Sequence, residues 1–564
     1  MVRNWLKTCV EGHSSCQKPS FNFMPERVLE IERTHQSRRI RLIDSHTITP
    51  EAYVALSYCW GGSQQLKLTK ATIDRLKSAI AVEELPQTLK DAVIVTENLN
   101  LRLIWVDVLC IIQDDDAAAL AREIDTMAFV YGEAMVTLLA SRSQSVNQGF
   151  LHERKYPGPT FEVPYIKPNG EETSLILVQT SEKSAEHAEP LDERAWALQE
   201  QLLSPRVIDF RTYQTRYSCR NLDNSGFKAT TDGWATSFFD PTSPGWSFIK
   251  ESYIKSTPDK RIEIKMPKKE AEDVQQRLLS KSQALWHIPI GFWYDTVNAY
   301  TQRKLSKCTD RLIAIGGIAR TIGSILYSQY CAGLWRDCLA QGLIWRSFEG
   351  ATLQPRPSEY QGPSWSWVGM NTAVNCQRCK VMMEYEFPLD KEFRVIDCQI
   401  QLQHKDAQYG RVLSGKLTLR GRMRPAVWRR GEDSHKPEQK SVLFAQVSPE
   451  ELGQLPAIMW ADALEKEFAD SSTKSIPVWL LYHSYQQDLS STAQHFGIVL
   501  RRYSNGVYAR VGMFHCTMSE VKVPQGRGIS FDTNIEEKTK ARRAAFEKWM
   551  NWICESDVVT VNII

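Results

Sequence analysis

Six residues in the first quarter of the chain have types and positions that chemistry can use. Ser57, Trp60 and Gly61 follow one apolar run, Asp107 ends a second, and Asp114 and Glu123 lie just beyond it. A carboxylate beside an indole and a glycine turn is suited to holding a ribose hydroxyl. It is equally suited to stabilising an oxocarbenium-like transition state, as carboxylates do in glycoside cleavage. Each residue also has an ordinary structural use, since an acidic turn doubles as a helix N-terminus. Both readings stand at this level.

Other constellations are weaker. Cys59 or Cys110 as a nucleophile needs a histidine partner, and the surrounding stretch contains none. Cys376 and Cys379 form a lone CxxC without the second pair of a zinc ribbon. Neither GxxxxGK[ST] nor a GxGxxG after a strand occurs, so nucleotide-driven switching has no support. Cys9, His13 and Cys16 share one face if their segment is helical, but zinc would need a fourth ligand from elsewhere. Burial of these groups in the core is the preferred reading, and no metal is assigned.

The elements that must position the six residues are legible. Leu103 to Val106 read as a buried strand, followed by the polar turn Gln113 to Asp116. Leu120, Ile124, Met127 and Tyr131 recur at helical spacing, with Glu123 flanking the stripe. Met135 to Ala140 is a further strand, Tyr53 to Tyr58 an earlier one, and a helix starts near Leu85. The alternation of strand and helix from 53 to 140 implies a parallel three-layer α/β domain. In such sheets ligands bind outside the carboxyl ends of the strands, where Ser57, Trp60 and Asp107 would stand.

Before this block, 27–45 reads as two short strands. After it, a helix over 193–203 breaks at Ser204-Pro205 and leads into the strand RVIDF. Residues 221–289 read as a linker or insertion with a charged helix. From 290 the chain is aromatic-rich, and Trp365 and Trp367 alternate at strand period. Beyond 390, short strands dominate, with a charged helix near 538–549 and a final strand VVTVNII.

At 564 residues the chain is too long for one core. A net charge of +3 makes no case for nucleic acid or a membrane surface as partner. The thirteen scattered cysteines are unlike a small secreted disulfide framework. No leader or membrane-spanning run is visible, which points to a cytoplasmic protein.

Several ordered motifs resemble the fungal heterokaryon incompatibility (HET) domain family. They are WLKTCVEGHSSC at 5–16, YVALSYCWGG at 53–62, LPQTLKDAV at 85–93 and LIWVDVLCIIQDD at 103–115. REIDTMAFVYGEA at 122–134, GF at 149–150 and ERAWALQEQLLSPRVIDF at 193–210 follow. YCAGLWRDCLAQGLIW and GPSWSWVGM resemble the tail of many such proteins. Departures are modest: Ala117 to Ala119 replace part of the acidic turn, and Arg194-Ala195-Trp196 stands where arginine-glycine-tryptophan is common.

The resemblance implies a HET domain over 49–220, with 1–48 packing on it and a mixed α+β region over 290–564. It implies a TIR-like or flavodoxin-like fold and a role in nonself recognition leading to programmed cell death. By the distant TIR analogy, NAD is a candidate substrate and no bound cofactor is expected. Glu123 and Asp107 would be catalytic, and Ser57, Trp60, Gly61 and Asp114 would bind the ligand. The alternative is a non-catalytic module that self-associates or binds an incompatibility partner, in some cases encoded beside biosynthetic genes.

Overall fold

Tyr53–Ser57 is the middle strand of the first unit, and all five of its residues are buried. The computed structural model describes every residue except 1, 15, 17, 19–22, 34–36, 155–158, 167–169, 179–187, 221–227, 231–288, 350, 386, 430–439, 446–456, 467–474, 488–492 and 518–534. The chain divides into two compact units, 1–267 and 268–564.

The first unit runs α1 (Val2–Gly12), β1 (Arg27–Arg33), β2 (Arg38–Asp44), β3 (Tyr53–Ser57), α2 (Ile73–Lys77), β4 (Ile80–Ala81) and α3 (Gln87–Asn98). It continues with β5 (Leu103–Trp105), α4 (Asp107–Cys110), α5 (Ala117–Glu133), β6 (Val136–Leu139), β7 (Thr160–Ile166) and β8 (Glu172–Val178). It closes with α6 (Ala195–Leu203), β9 (Arg206–Phe210), β10 (Thr215–Cys219) and β11 (Lys228–Thr230). Nine of these strands form one sheet in the order β11-β10-β9-β6-β3-β5-β1-β2-β4.

The four middle strands β9, β6, β3 and β5 are mutually parallel. The strands read as parallel between 53 and 140 are parallel, and the sheet is extended on either side by strands that pair antiparallel. The reason is connection length. Four residues join β1 to β2 and four join β9 to β10, enough for a hairpin, whereas a parallel crossover needs a dozen or more. In chain order the parallel strands lie 2-1-3-4, so the connections reverse direction at β3. The carboxyl end of β3 is therefore a topological switch point, where α/β sheets form crevices.

The helices follow from local chemistry. The Asp116 carboxylate accepts the N–H groups of Ala118 and Ala119, capping α5. Met127, Val130 and Tyr131 then bury the inner face of α5 in the core with Val54, Leu56, Ile104 and Leu138. β7 and β8 form a separate two-stranded hairpin that periodicity did not signal.

In the second unit six strands close into a ring. Val412–Arg429, Lys440–Ala445, Ala457–Ala461, Tyr508–Thr517, Ala493–Arg502 and Ser475–Gln487 pair antiparallel in that order, and the last pairs back onto the first. The helix Ile535–Cys554 lays Phe546, Trp549 and Trp552 against the apolar core of this ring. Trp365 and Trp367 are not in a strand: Trp367–Gly369 is a turn of 3-10 helix. Both indoles are fully buried, and Trp367 Nε1 donates to the Gly333 carbonyl at 2.9 Å. Burial of two large rings from a tight turn thus imitated strand alternation.

Most of the linker expected at 221–289, with its charged helix, lies outside the described residues. Among the described residues no helix is long and apolar enough to cross a membrane.

Candidate functional site

The rim residues converge at the carboxyl ends of β3 and β5. The parallel register pairs Ala55 with Trp105, so the chain leaves both strands on the same side of the sheet. Ser57 ends β3 with its hydroxyl fully buried. The next two residues, Tyr58 and Cys59, are buried, and Trp60 after them is half-buried.

Asp107 begins α4. Its Oδ2 accepts the Trp60 indole N–H at 2.9 Å and its Oδ1 accepts the Val108 N–H at 2.7 Å. Burial pushes its carboxyl above the ordinary aspartate range, while the Arg194 guanidinium and the Trp60 N–H act in the opposite direction. The phenol of Tyr58 lies beside the same carboxyl and is pushed well up by burial and by that negative charge.

Gly61 sets the loop that carries Trp60. Its φ is +70°, and a Cβ there would lie 2.1 Å from Ser145 Cβ. Only glycine fits this backbone and this approach. The Trp60 carbonyl accepts from Gln64 Nε2 at 2.9 Å and from the Val146 N–H at 3.4 Å.

α6 and the residue that precedes it supply two groups that sequence reasoning missed. Arg194, immediately before it, donates through Nη1 to the Tyr58 carbonyl. Glu200, 6% exposed, lies beside Ser57 and Tyr131. The Ser57 hydroxyl is close to this carboxyl without meeting hydrogen-bond geometry. Burial pushes Glu200 from the ordinary glutamate value of 4.5 to about 7, with Arg194 opposing and Asp107 adding. Glu200 is thus poised between its two protonation states near neutral pH, a property of acid–base groups. A signal was present: the helix AWALQEQLL is apolar except for Gln199, Glu200 and Gln201, and a single carboxylate in so apolar a helix is placed for burial.

Two predicted residues stand apart. Glu123 on α5 is ion-paired with Arg27, which also donates to the Cys110 carbonyl at 3.0 Å. Burial raises Glu123 to about 7, with the Arg27 charge opposing. Asp114 is exposed and accepts the Lys70 N–H at 2.9 Å. Among the described residues no hydrogen bond or ion pair joins either to Trp60 or Asp107. The cysteines of this region are not activated, since burial pushes Cys59 up and Cys110 to about 12. Groups of metal-ligating type gather elsewhere, at Cys9, His13, Cys16 and Cys219.

The cluster is therefore a half-exposed lip of Trp60, Asp107 and Arg194 over a buried floor of Ser57, Tyr58, Tyr131 and Glu200. It offers a flat ring, two carboxyls and one cation at the carboxyl ends of the parallel strands. Residues 53–200 match the family model described as Heterokaryon incompatibility protein (HET), a span that includes every residue of this cluster. No curated protein and no solved structure matches the chain.

Proposed function

We propose, from the premise that this chain is a heterokaryon incompatibility (HET) domain protein, that its first unit is an effector of nonself recognition and cell death that cleaves the N-glycosidic bond of NAD. The supporting observation is the buried Glu200 carboxyl beside Ser57, at the switch point where Asp107 holds the Trp60 indole. The 2-1-3-4 order of the parallel strands is also that of doubly wound sheets, and supports a TIR-like reading of the domain.

In this reading Trp60 stacks on the nicotinamide or adenine ring and Ser57 and Asp107 orient the ribose. The bond from ribose C1′ to the nicotinamide nitrogen breaks, and its electron pair leaves with nicotinamide. Glu200 stabilises the developing cation, and water adds at C1′ with loss of a proton. Arg194 faces the diphosphate. Glu123, held by Arg27, is the rival carboxylate from the sequence.

The test is nicotinamide release by the purified full chain, together with NAD content and viability of filamentous-fungal cells expressing it. Glu200→Gln is expected to lower turnover about 100-fold or more, with Glu123→Gln within about tenfold of the parent. Cells killed with NAD intact, or turnover unchanged in Glu200→Gln, would refute the assignment.

One observation favours a second reading, a signalling module that self-associates. The β7–β8 hairpin leaves Phe161, Val163, Tyr165 and Ile166 exposed, the last at 64%. Isolated hairpins are marginal in water, and their open edges accept further strands. Killing would then survive Glu200→Gln but fail in Phe161→Asp, together with loss of the oligomer in sedimentation.

A further inference from the structure

Three thiols and one imidazole meet where the N-terminal helix lies on the sheet. The ligand atoms of Cys9, His13, Cys16 and Cys219 all lie within 4.8 Å of one another. Cys9 belongs to α1 and is completely buried; His13 follows the helix, its N–H bonded to the Cys9 carbonyl. α1 stops at Gly12, so Cys16 comes from the turn beyond it rather than from the helix face that periodicity suggested. Cys219 ends β10, about two hundred residues later in the chain.

The spacing between these groups matches a coordination shell. His13 Nδ1 stands 3.4 Å from Cys219 Sγ and 3.6 Å from Cys16 Sγ. Zinc–sulfur bonds of about 2.3 Å and zinc–nitrogen bonds of about 2.0 Å at tetrahedral angles set such edges at about 3.6 Å. None of the thirteen cysteines, these three included, is joined in a disulfide.

We propose that Cys9, His13, Cys16 and Cys219 bind one Zn2+ as a closed structural site. Thiolate and imidazole ligands favour zinc over magnesium or calcium. Four protein ligands leave no open position, so the ion carries structure and not catalysis. Three thiolates around Zn2+ leave one net negative charge, and a cation is in place to meet it. Buried Arg206 donates through Nε to Cys9 Sγ at 3.2 Å and through Nη1 to the Met135 carbonyl. On binding, the thiol protons leave to solvent, so affinity rises with pH.

The position in the fold gives the ion its purpose. Arg206 opens β9 and pairs with Cys219 on β10, so the site lies at the amino end of β9. The rim of Ser57 and Asp107 is at the opposite, carboxyl end of the parallel strands. The ion would pin α1 to β10, joining the start of the chain to the far side of the same sheet. The four ligands lie outside the matched span 53–200, so the clamp brackets that span from both ends.

The experiment uses the full chain, purified under reducing conditions without added metal. Elemental analysis should find about one zinc per chain. After chelation and reloading with Co2+, the visible spectrum should show tetrahedral d–d bands and a thiolate charge-transfer band. Cys219→Ser should lose that spectrum and at least about tenfold in zinc affinity, while Cys308→Ser, at an exposed cysteine, should change neither. If Cys219→Ser fails to fold, the metal content and cobalt spectrum of the parent chain decide. Folded chain with no bound zinc and no tetrahedral cobalt spectrum, or peptide mapping that finds a disulfide among the three thiols, would overturn the site.

Discussion

The Trp60 indole N–H donates to Asp107 Oδ2 at 2.9 Å, tying the loop after β3 to the start of α4. The two residues are 47 apart in sequence. They meet because β3 and β5 are parallel neighbours whose chains leave the sheet on one side. The bond orients the ring and gives the carboxylate a donor in a place where burial disfavours its charge.

Asp107→Ala should therefore strand two donors, Trp60 Nε1 and the Val108 N–H. The expected cost is about 1–3 kcal/mol. Asp107→Asn keeps an acceptor oxygen and should cost less. Hydrogen exchange of β3 and β5 amides measures both, and equal effects would contradict the role assigned to the bond.

Glu200 makes stability depend on pH. Its carboxyl is raised from 4.5 to about 7 in the folded chain, so between these values the folded state holds a proton that the unfolded state has lost. Its contribution is full below about 4.5 and is lost as pH rises to about 7, on the order of 3 kcal/mol. Glu123 acts in the same window. Glu200→Gln should therefore remove only part of the decline, and exchange free energies of β3 and β6 amides at pH 5 and pH 8 give the slope. An unchanged slope would mean that Glu200 is ionised throughout.

Arg27→Ala should be among the costlier changes in the first unit. It leaves the half-buried Glu123 carboxylate without its cation and the Cys110 carbonyl without a donor. The expected loss is about 2–4 kcal/mol. Pairing it with Glu123→Gln should recover part of the loss, and a double-mutant cycle in urea reads the coupling directly.

Gly61→Ala should destabilise the Trp60 loop by about 2 kcal/mol or more, because positive φ and the Ser145 contact act together. Indole fluorescence and local exchange at 58–64 report it, whereas Gly62→Ala meets no neighbour within 4 Å and should pay only the backbone strain.

Arg510→Met tests the second unit. Arg510 and Asp462 are both fully buried and bonded at 2.9 Å, and Arg510 also donates to the carbonyls of Leu343 and Trp345. Removing the cation leaves a buried carboxylate and should cost about 3–5 kcal/mol, visible as a lower unfolding midpoint by near-ultraviolet circular dichroism.

What the residue order determined by itself was local. The buried runs at 53–57, 103–105 and 136–139 and the stripe of α5 are written in neighbouring side chains, so periodicity recovers them. That much placed Ser57, Trp60 and Asp107 at strand ends. Tertiary structure decided the partners. Glu123 and Glu200 are both helix carboxylates, and only packing sends one to Arg27 and the other to Ser57 and Tyr131. The antiparallel flanks, and the return of Cys219 to Cys9, His13 and Cys16, depend on pairings across up to about two hundred residues. Such contacts leave no period in the sequence, because the free energy that selects them is the burial and pairing of groups distant along the chain.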